Sequence, residues 1–305
     1  MTTTAHAAAP AGNRRGAILL VAAAATFTAE VVVVRLMDGA AGNEQIVFAR
    51  AAVQLVAVTA WIAARDRTLV RTGRPWLHLV RGLTSLVCWW LYYRSFQLLD
   101  LALATTLTFT SSLFVVALAA PLLGEKVGVT RWTMTVIGFA GVVVASGATG
   151  LVLAPGVAIG LASSAAAAAL VFLNRLLARS EATSTIMLYI GLVATLGTLP
   201  GVVGSGLPSE PGIYALLALS GALGTLGMLL TVEAYRVGEV SALAPFPYMR
   251  IVFAIAAGLV LFAETPTIRT LAGSAIIIGS AIAVGRQERP SRERWGVRRT
   301  RKAGK

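Results

Sequence analysis

The sequence predicts an all-α integral membrane protein with ten transmembrane helices arranged as two inverted five-helix repeats. Three observations carry this. Of 305 residues, 57% are hydrophobic and only 13% charged, where a soluble domain carries about a quarter charged. The apolar residues come in blocks of about 20, the length a helix needs to cross a hydrocarbon core roughly 30 Å thick. Basic residues crowd into alternate connections between the blocks. Lipid leaves only helices or closed barrels, because backbone groups must be bonded internally. Long continuous runs of Ala, Leu, Val and Gly select helices.

The first block, 16–36, follows Arg14 and Arg15 and so resembles a signal peptide. It is longer than an h-region of about 7–15 residues and nine blocks follow it, so it reads as an uncleaved helix. The second, 45–64, ends on Arg65, Arg67, Arg71 and Arg74, and the third, 78–97, carries the aromatic run Trp89, Trp90, Tyr92 and Tyr93. The fourth, 101–123, closes on Glu125 and Lys126, and the fifth, 131–149, opens at Arg131. The sixth, 154–174, is narrow through Ala165–Ala169 and precedes Arg175 and Arg179. After the seventh, 184–204, comes the eighth, 212–234, with Gly221, Gly224 and Gly227 for close helix packing. The ninth, 241–262, opens around Pro245 and Pro247, and the tenth, 268–285, leads into a basic tail.

With the N-terminus inside, twenty Lys and Arg fall on the cytoplasmic side and only Arg269 in the opposite loops. Such a bias sets orientation and requires an even number of spans, so both termini are expected in the cytoplasm. The chain then divides into a cytoplasmic segment 1–15, a first five-helix repeat 16–149, a second 154–285 and a cytoplasmic tail 286–305.

The halves resemble one another. Phe96 to Glu125 lies on Tyr235 to Glu264 without a gap, matching Asp100 with Glu239 and Leu118 with Ala257. Deleting one residue then brings Gly141 onto Gly279. Five spans per half is odd, so the second half must be inverted, and inverted repeats characterise secondary transporters with a midplane substrate site.

Several function classes are excluded or unsupported. Cys88 is the only cysteine, and the two histidines, His6 and His78, are far apart, so neither a disulfide nor a metal cluster is expected, and no cofactor. No HExxH, Gly-x-Ser-x-Gly or paired midplane carboxylates occur, so no enzyme is expected. The net charge of +13 does not indicate nucleic acid, because nine basic residues sit in the last twenty and most others in short loops. Anionic lipid headgroups are the expected partner. The sequence leaves the oligomeric state open, a monomer included. A non-transporting scaffold or receptor remains the alternative from a different class, disfavoured by the lack of any sizeable extramembrane domain.

Two stretches carry a family resemblance. RGLTSLVCWWLYYRSFQLLDLALATTLTFTSSLFVVALAAPLLGEKVGVTRW runs from Arg81 to Trp132, and AYRVGEVSALAPFPYMRIVFAIAAGLVLFAETPTIRTLAG from Ala234 to Gly273. The Arg-Gly start, the Gly-Glu plus basic close, the Ala-Pro-Phe-x-Tyr opening of the ninth span and its Phe-x-Glu-x-Pro exit resemble the ten-helix EamA-type members of the drug/metabolite transporter superfamily. The resemblance implies alternating-access transport of a small metabolite across a bacterial-type cytoplasmic (inner) membrane. Its members include amino acid exporters and importers of S-adenosylmethionine or riboflavin, and the motifs do not choose between them. Relatives often place a proline just before Leu-Phe in the fourth span. Ser112 stands there, so no proline breaks the first-half helix.

Charges within spans single out candidate site residues, since a charge near the bilayer centre costs at least about 2.5–3.5 kcal/mol. Glu30 and Arg50 lie at similar depth on neighbouring helices, which predicts an intramembrane ion pair, with Glu30 the candidate proton carrier and a structural lock the alternative. Arg94 and Glu233 hold matching repeat positions near opposite faces and can snorkel. Arg81 is expected to anchor to headgroups, and Glu125 and Glu264 to cap helices or loops. Four aromatics within five residues cannot share one helix face, but Trp89 is a candidate cavity residue. Arg250 lies about nine residues, roughly 13 Å, into its span, too deep for easy snorkelling. Pro245 and Pro247 disfavour regular helix just before it. Irregular backbone at that depth needs cover from protein or a cavity. Arg250 with Tyr248 and Phe246 is therefore the candidate substrate site, its guanidinium suited to a carboxylate, with a purely structural role equally open.

Overall fold

The computed structural model describes residues 9–65, 67–123, 128–146, 154–177, 180–206, 208–237, 243 and 246–286. Pro245, Glu125 and the tail beyond Arg286 lie outside them. The described chain is helical with no strand. Its elements are α1 (Ala9–Leu36), α2 (Asn43–Arg65), α3 (Pro75–Leu98), α4 (Leu101–Thr108), α5 (Ser111–Leu123), α6 (Val129–Ser146), α7 (Pro155–Leu177), α8 (Thr183–Ser205), α9 (Pro211–Val237), α10 (Met249–Leu261) and α11 (Ile268–Arg286). Short 3-10 turns at Arg67–Val70 and Phe246–Tyr248 precede α3 and α10.

Six described helical runs are long and apolar enough to cross a membrane, among them Asn43–Arg65, Leu101–Leu118 and Pro211–Val237; three shorter apolar runs accompany them. Leu, Val and Trp side chains stay exposed around the bundle (Val136, Val203 and Val260 are 64%, 74% and 80% exposed). That is how a helix facing lipid tails differs from one facing water. The protein is a multi-pass membrane protein.

The fourth and ninth spans are interrupted. The fourth span breaks at Phe109–Thr110 without any proline. Its run of hydroxyls supplies the reason. Thr108, Thr110, Ser111 and Ser112 each donate to the carbonyl three residues back, at 2.7, 2.7, 2.8 and 2.8 Å. Such bonds compete with the helical ladder, and the backbone tightens to i→i−3 bonds from Thr110 to Leu107 and from Leu113 to Thr110. In the ninth span α10 begins at Met249, directly after the 3-10 turn holding Pro247. Arg250 therefore stands in the first turn of α10.

The most extensive packing joins α1 to α9, α3 to α7, α2 to α8 and α6 to α11; α2–α9, α3–α8, α1–α10, α5–α7 and α4–α10 follow. Polar contacts sort the connections into two ends. At one, Thr72 donates to Glu181 (2.9 Å) and Thr185 to Leu69 O (2.7 Å), while Arg15 and Arg236 flank Glu233 at 3.8 and 3.3 Å. At the other, Gln45 donates to Gly206 O (2.7 Å) and Arg35 to Leu99 O (2.7 Å). Here an open cavity of about 490 Å³ is walled by Asp38, Asn43, Gln45, Arg94, Gln97 and Ser209.

Candidate functional site

The inner face of α3 repeats aromatics as Trp89, Tyr92, Tyr93 and Phe96, spacings that place them along one stripe. Trp90 turns away and donates to Glu44 (3.1 Å). The stripe faces Phe27 and Glu30 of α1, Arg50 of α2 and Arg250 of α10. The result is one cluster of two guanidinia and one carboxylate, buried at Glu30, Arg50, Tyr93 and Phe96 and half-buried at Arg250.

Its first part is ionic. Arg50 Nε lies 3.1 Å from Glu30 Oε1, with Glu30 2% and Arg50 6% exposed. Tyr93, 1% exposed, donates its hydroxyl to the same Glu30 oxygen at 2.6 Å. Arg50 also reaches Thr225 Oγ1 at 3.4 Å and stands 5.0 Å over the Trp89 ring. Gly224 of α9 makes the room: a Cβ there would overlap Glu30 Oε1 and lie 2.6 Å from the Arg50 guanidinium. That glycine stripe thus does more than pack helices, since Gly221 meets α2, Gly227 meets Phe27, and Gly224 lies under the ion pair.

Its second part is a caged cation. Arg250 Nη2 donates to the Tyr92 hydroxyl, and the guanidinium lies 5.5, 5.4 and 5.8 Å from the rings of Phe27, Tyr92 and Phe96. Its Nε is buried and has no hydrogen-bond partner among the described residues. Among those residues no carboxylate pairs with it. The ring of Tyr92 stands 5.1 Å from that of Tyr93, joining the two parts.

The sequence candidates are thus distributed as follows. Glu30, Arg50, Trp89 and Arg250 come together in one cluster. Tyr248 instead stacks on Phe109 of the α4–α5 break, ring centroids 4.7 Å apart. Phe246 packs with Leu20, Ala234 and Leu243, so the rings around Arg250 are those of α1 and α3 rather than its own neighbours in sequence. Pro247 sits in the 3-10 turn before α10. Arg81 is not at a headgroup surface. It is 5% exposed, donates to Asn174 Oδ1 at 2.8 Å and bonds Ser85, because α7 packs over its face of α3.

Sequence reasoning passed over Tyr92 and Tyr93 as individual groups, and Arg35 altogether. Arg35 Nη2 lies 2.7 Å from Glu264 Oε1 while Glu264 Oε2 accepts from the Leu101 N–H at 2.9 Å. Glu264 therefore caps the N-terminus of α4, not its own helix. Burial raises its carboxyl above the ordinary value, Asp100 adding to the rise while the Leu101 N–H and Arg35 oppose it. No group of His, Cys, Asp and Glu suited to a metal occurs among the described residues.

The EamA-like transporter family model matches residues 14–147 and again 154–286. A curated S-adenosylmethionine uptake transporter of Rickettsia bellii is 24% identical over 79% of this chain and 82% of its own length. The pseudopaline exporter CntI of Pseudomonas aeruginosa is 27% identical over 87% and 93%, and a riboflavin transporter of Rhizobium johnstonii 26% identical over 72% and 73%. A solved crystal structure aligns with 90% of this chain and 98% of that one at a TM-score of 0.59 and 21% identity, a shared fold. Two successive matches spanning nearly every described helix leave one assignment: the chain belongs to the EamA-like transporter family and is a transporter, not an enzyme.

Proposed function

We propose that this protein is a secondary transporter that moves an amino acid or related carboxylated metabolite across the cytoplasmic membrane by alternating access. Arg250 carries the reading. A half-buried cation with a buried Nε in the first turn of α10 adds to the positive end of the helix dipole, where an anion is favoured. Helices interrupted near the midplane, with their N-termini aimed at anionic substrate groups, are a recurring transporter device. With one carboxylate against two guanidinia, the cluster keeps a site for an anion from outside the chain.

The architecture proposed is ten spans in two inverted repeats, 16–149 and 154–285, with both termini cytoplasmic. Packing supports it. Exchanging α1 with α7, α2 with α8, α3 with α9, α4–α5 with α10, and α6 with α11 turns each of the extensive helix contacts into itself or another of them. A two-fold relation does this, and five spans per half make it an inversion. Small-molecule substrate and anionic headgroups at the basic loops are the partners, and a monomer carries the whole cluster. Glu30, coupled to Arg50 and Tyr93, is the proposed proton-coupling group.

A second reading is uptake of a nucleoside-like or vitamin compound. The aromatic pair Phe109–Tyr248 offers a flat surface for a planar ring, and two similar transporters are named for S-adenosylmethionine and riboflavin. A flux screen in sealed vesicles, with and without a proton gradient, separates the readings. Gradient-dependent movement of amino acids is expected. Movement of riboflavin but no amino acid would transfer the assignment to the second reading, and no flux of either class would contradict both.

A further inference from the structure

The edge of a guanidinium formed by Nε–H and the neighbouring Nη2–H presents two parallel donors that match the two oxygens of one carboxylate. On Arg250 that edge is half filled. Nη2 donates to the Tyr92 hydroxyl, while Nε, buried beside it, has no partner among the described residues. The three rings of Phe27, Tyr92 and Phe96 enclose the cation and hold it by face contacts that supply no hydrogen-bond acceptor.

We propose that the Tyr92 hydroxyl is a placeholder, filling one tooth of the Arg250 fork that a substrate carboxylate takes whole, and that it thereby rejects neutral acceptors. The proposal rests on Arg250 being the substrate's anion site. A neutral ligand oxygen arriving at Nη2 exchanges one neutral acceptor for another and leaves Nε unmet. A carboxylate displaces the hydroxyl, satisfies both donors and supplies the missing negative charge, and charge-assisted bonds are about twice as strong as neutral ones. Tyr92 is thus a specificity-determining residue whose effect on affinity is unfavourable for every ligand and decisive only against neutral ones. Because the phenol oxygen is rigidly attached to its ring, which faces Arg250, Tyr93 and Phe96, the fork opens by a tilt of that ring or a shift of the Arg250 side chain.

The test is equilibrium binding of radiolabelled alanine, phenylalanine and glutamate, and of alaninamide and phenylalaninamide, to full-length protein in detergent. Wild type is expected to bind one or more of the acids and neither amide. Tyr92→Phe keeps the ring and removes the placeholder, so acid affinity is expected to rise about three- to tenfold, the worth of one net hydrogen bond, and an amide to become measurable. Weaker acid binding by Tyr92→Phe would make Tyr92 a substrate contact and overturn the proposal, as would unchanged binding of both classes. Arg250→Gln separates this from the underlying reading: if acids bind Arg250→Gln as tightly as wild type, Arg250 is not the anion site and both fall. Wild-type protein that binds none of the three acids also contradicts both.

Discussion

Phe109 and Tyr248 stack with ring centroids 4.7 Å apart and planes tilted by 39°. In the register that matches Phe96 with Tyr235, Phe109 falls on Tyr248. Each stands where its span is interrupted, between α4 and α5 and immediately before α10. In the proposed inverted-repeat arrangement, a residue that touches its own counterpart lies on the axis relating the two halves. Replacing either ring with Ala is expected to remove the contact, and the double replacement to cost less than the sum. The coupling expected from such an aromatic pair is about 0.5–1.5 kcal/mol, read from a double-mutant cycle of thermal or denaturant stability. Strict additivity would show that the two breaks do not support one another.

The Glu30–Arg50 pair yields a sharper stability prediction. Removing one partner strands the other charge in a buried site, at about 3–5 kcal/mol. Glu30→Gln and Arg50→Gln are each expected to lower the melting temperature strongly, and exchanging the two charges to restore part of it. Gly224→Ala, whose Cβ would strike the pair, is expected to destabilise by about 1–3 kcal/mol. Gly204→Ala, with nothing within 4 Å of the new Cβ, serves as the control. Unchanged melting in all three site variants would mean that the ion pair contributes nothing.

How much of this was legible in the sequence depends on what each residue needed to be placed. Glu30 and Arg50 could be paired because depth along a helix follows from counting residues. Tyr93 could not be assigned to Glu30, since four aromatics in five positions leave the inward face undetermined until neighbouring helices fix the rotation. Arg35 gives no signal in the sequence because its partner, Glu264, lies more than 200 residues away along the chain. A proline is the break signal a sequence shows, while the hydroxyls of Thr108, Thr110, Ser111 and Ser112 are the agents here. Phe246 was grouped with Arg250 by proximity in sequence. The 3-10 turn sends its ring into the Leu20–Leu243 cluster instead.

Glu264 predicts a pH dependence. Its carboxyl is raised above the ordinary value of 4.5 by burial, so the charged contact with Arg35 exists above that raised value and is lost as pH falls through it. The sign for overall folding is opposite: the folded chain holds this proton more readily than the unfolded one, so acid does not unfold the protein through this group. Difference infrared titration of wild type against Glu264→Gln is expected to show one carboxyl protonating with a midpoint above 4.5. A midpoint at or below that value would contradict the role of burial.

Orientation is open to reporter fusions. Thr72 and Gly73 touch Glu181, which places the α2–α3 and α7–α8 connections at one end, while Gly42 and Ser209 line one cavity at the other. Reporters active only in the cytoplasm are expected to work at Arg71, Arg179 and the C-terminus and to stay silent at Gly42 and Ser209. Activity at both silent positions would reverse the topology.

The most direct measurement of the central claim is amino acid flux into sealed proteoliposomes by wild type and Arg250→Lys. Lysine keeps the charge but loses the planar two-donor edge. The folded variant is expected to transport with apparent affinity for carboxylated substrates weakened about tenfold or more, with little change for any substrate lacking a carboxylate. Unchanged apparent affinity in both Arg250→Lys and Arg250→Gln, each shown to be folded, would contradict the claim that this cation receives the substrate.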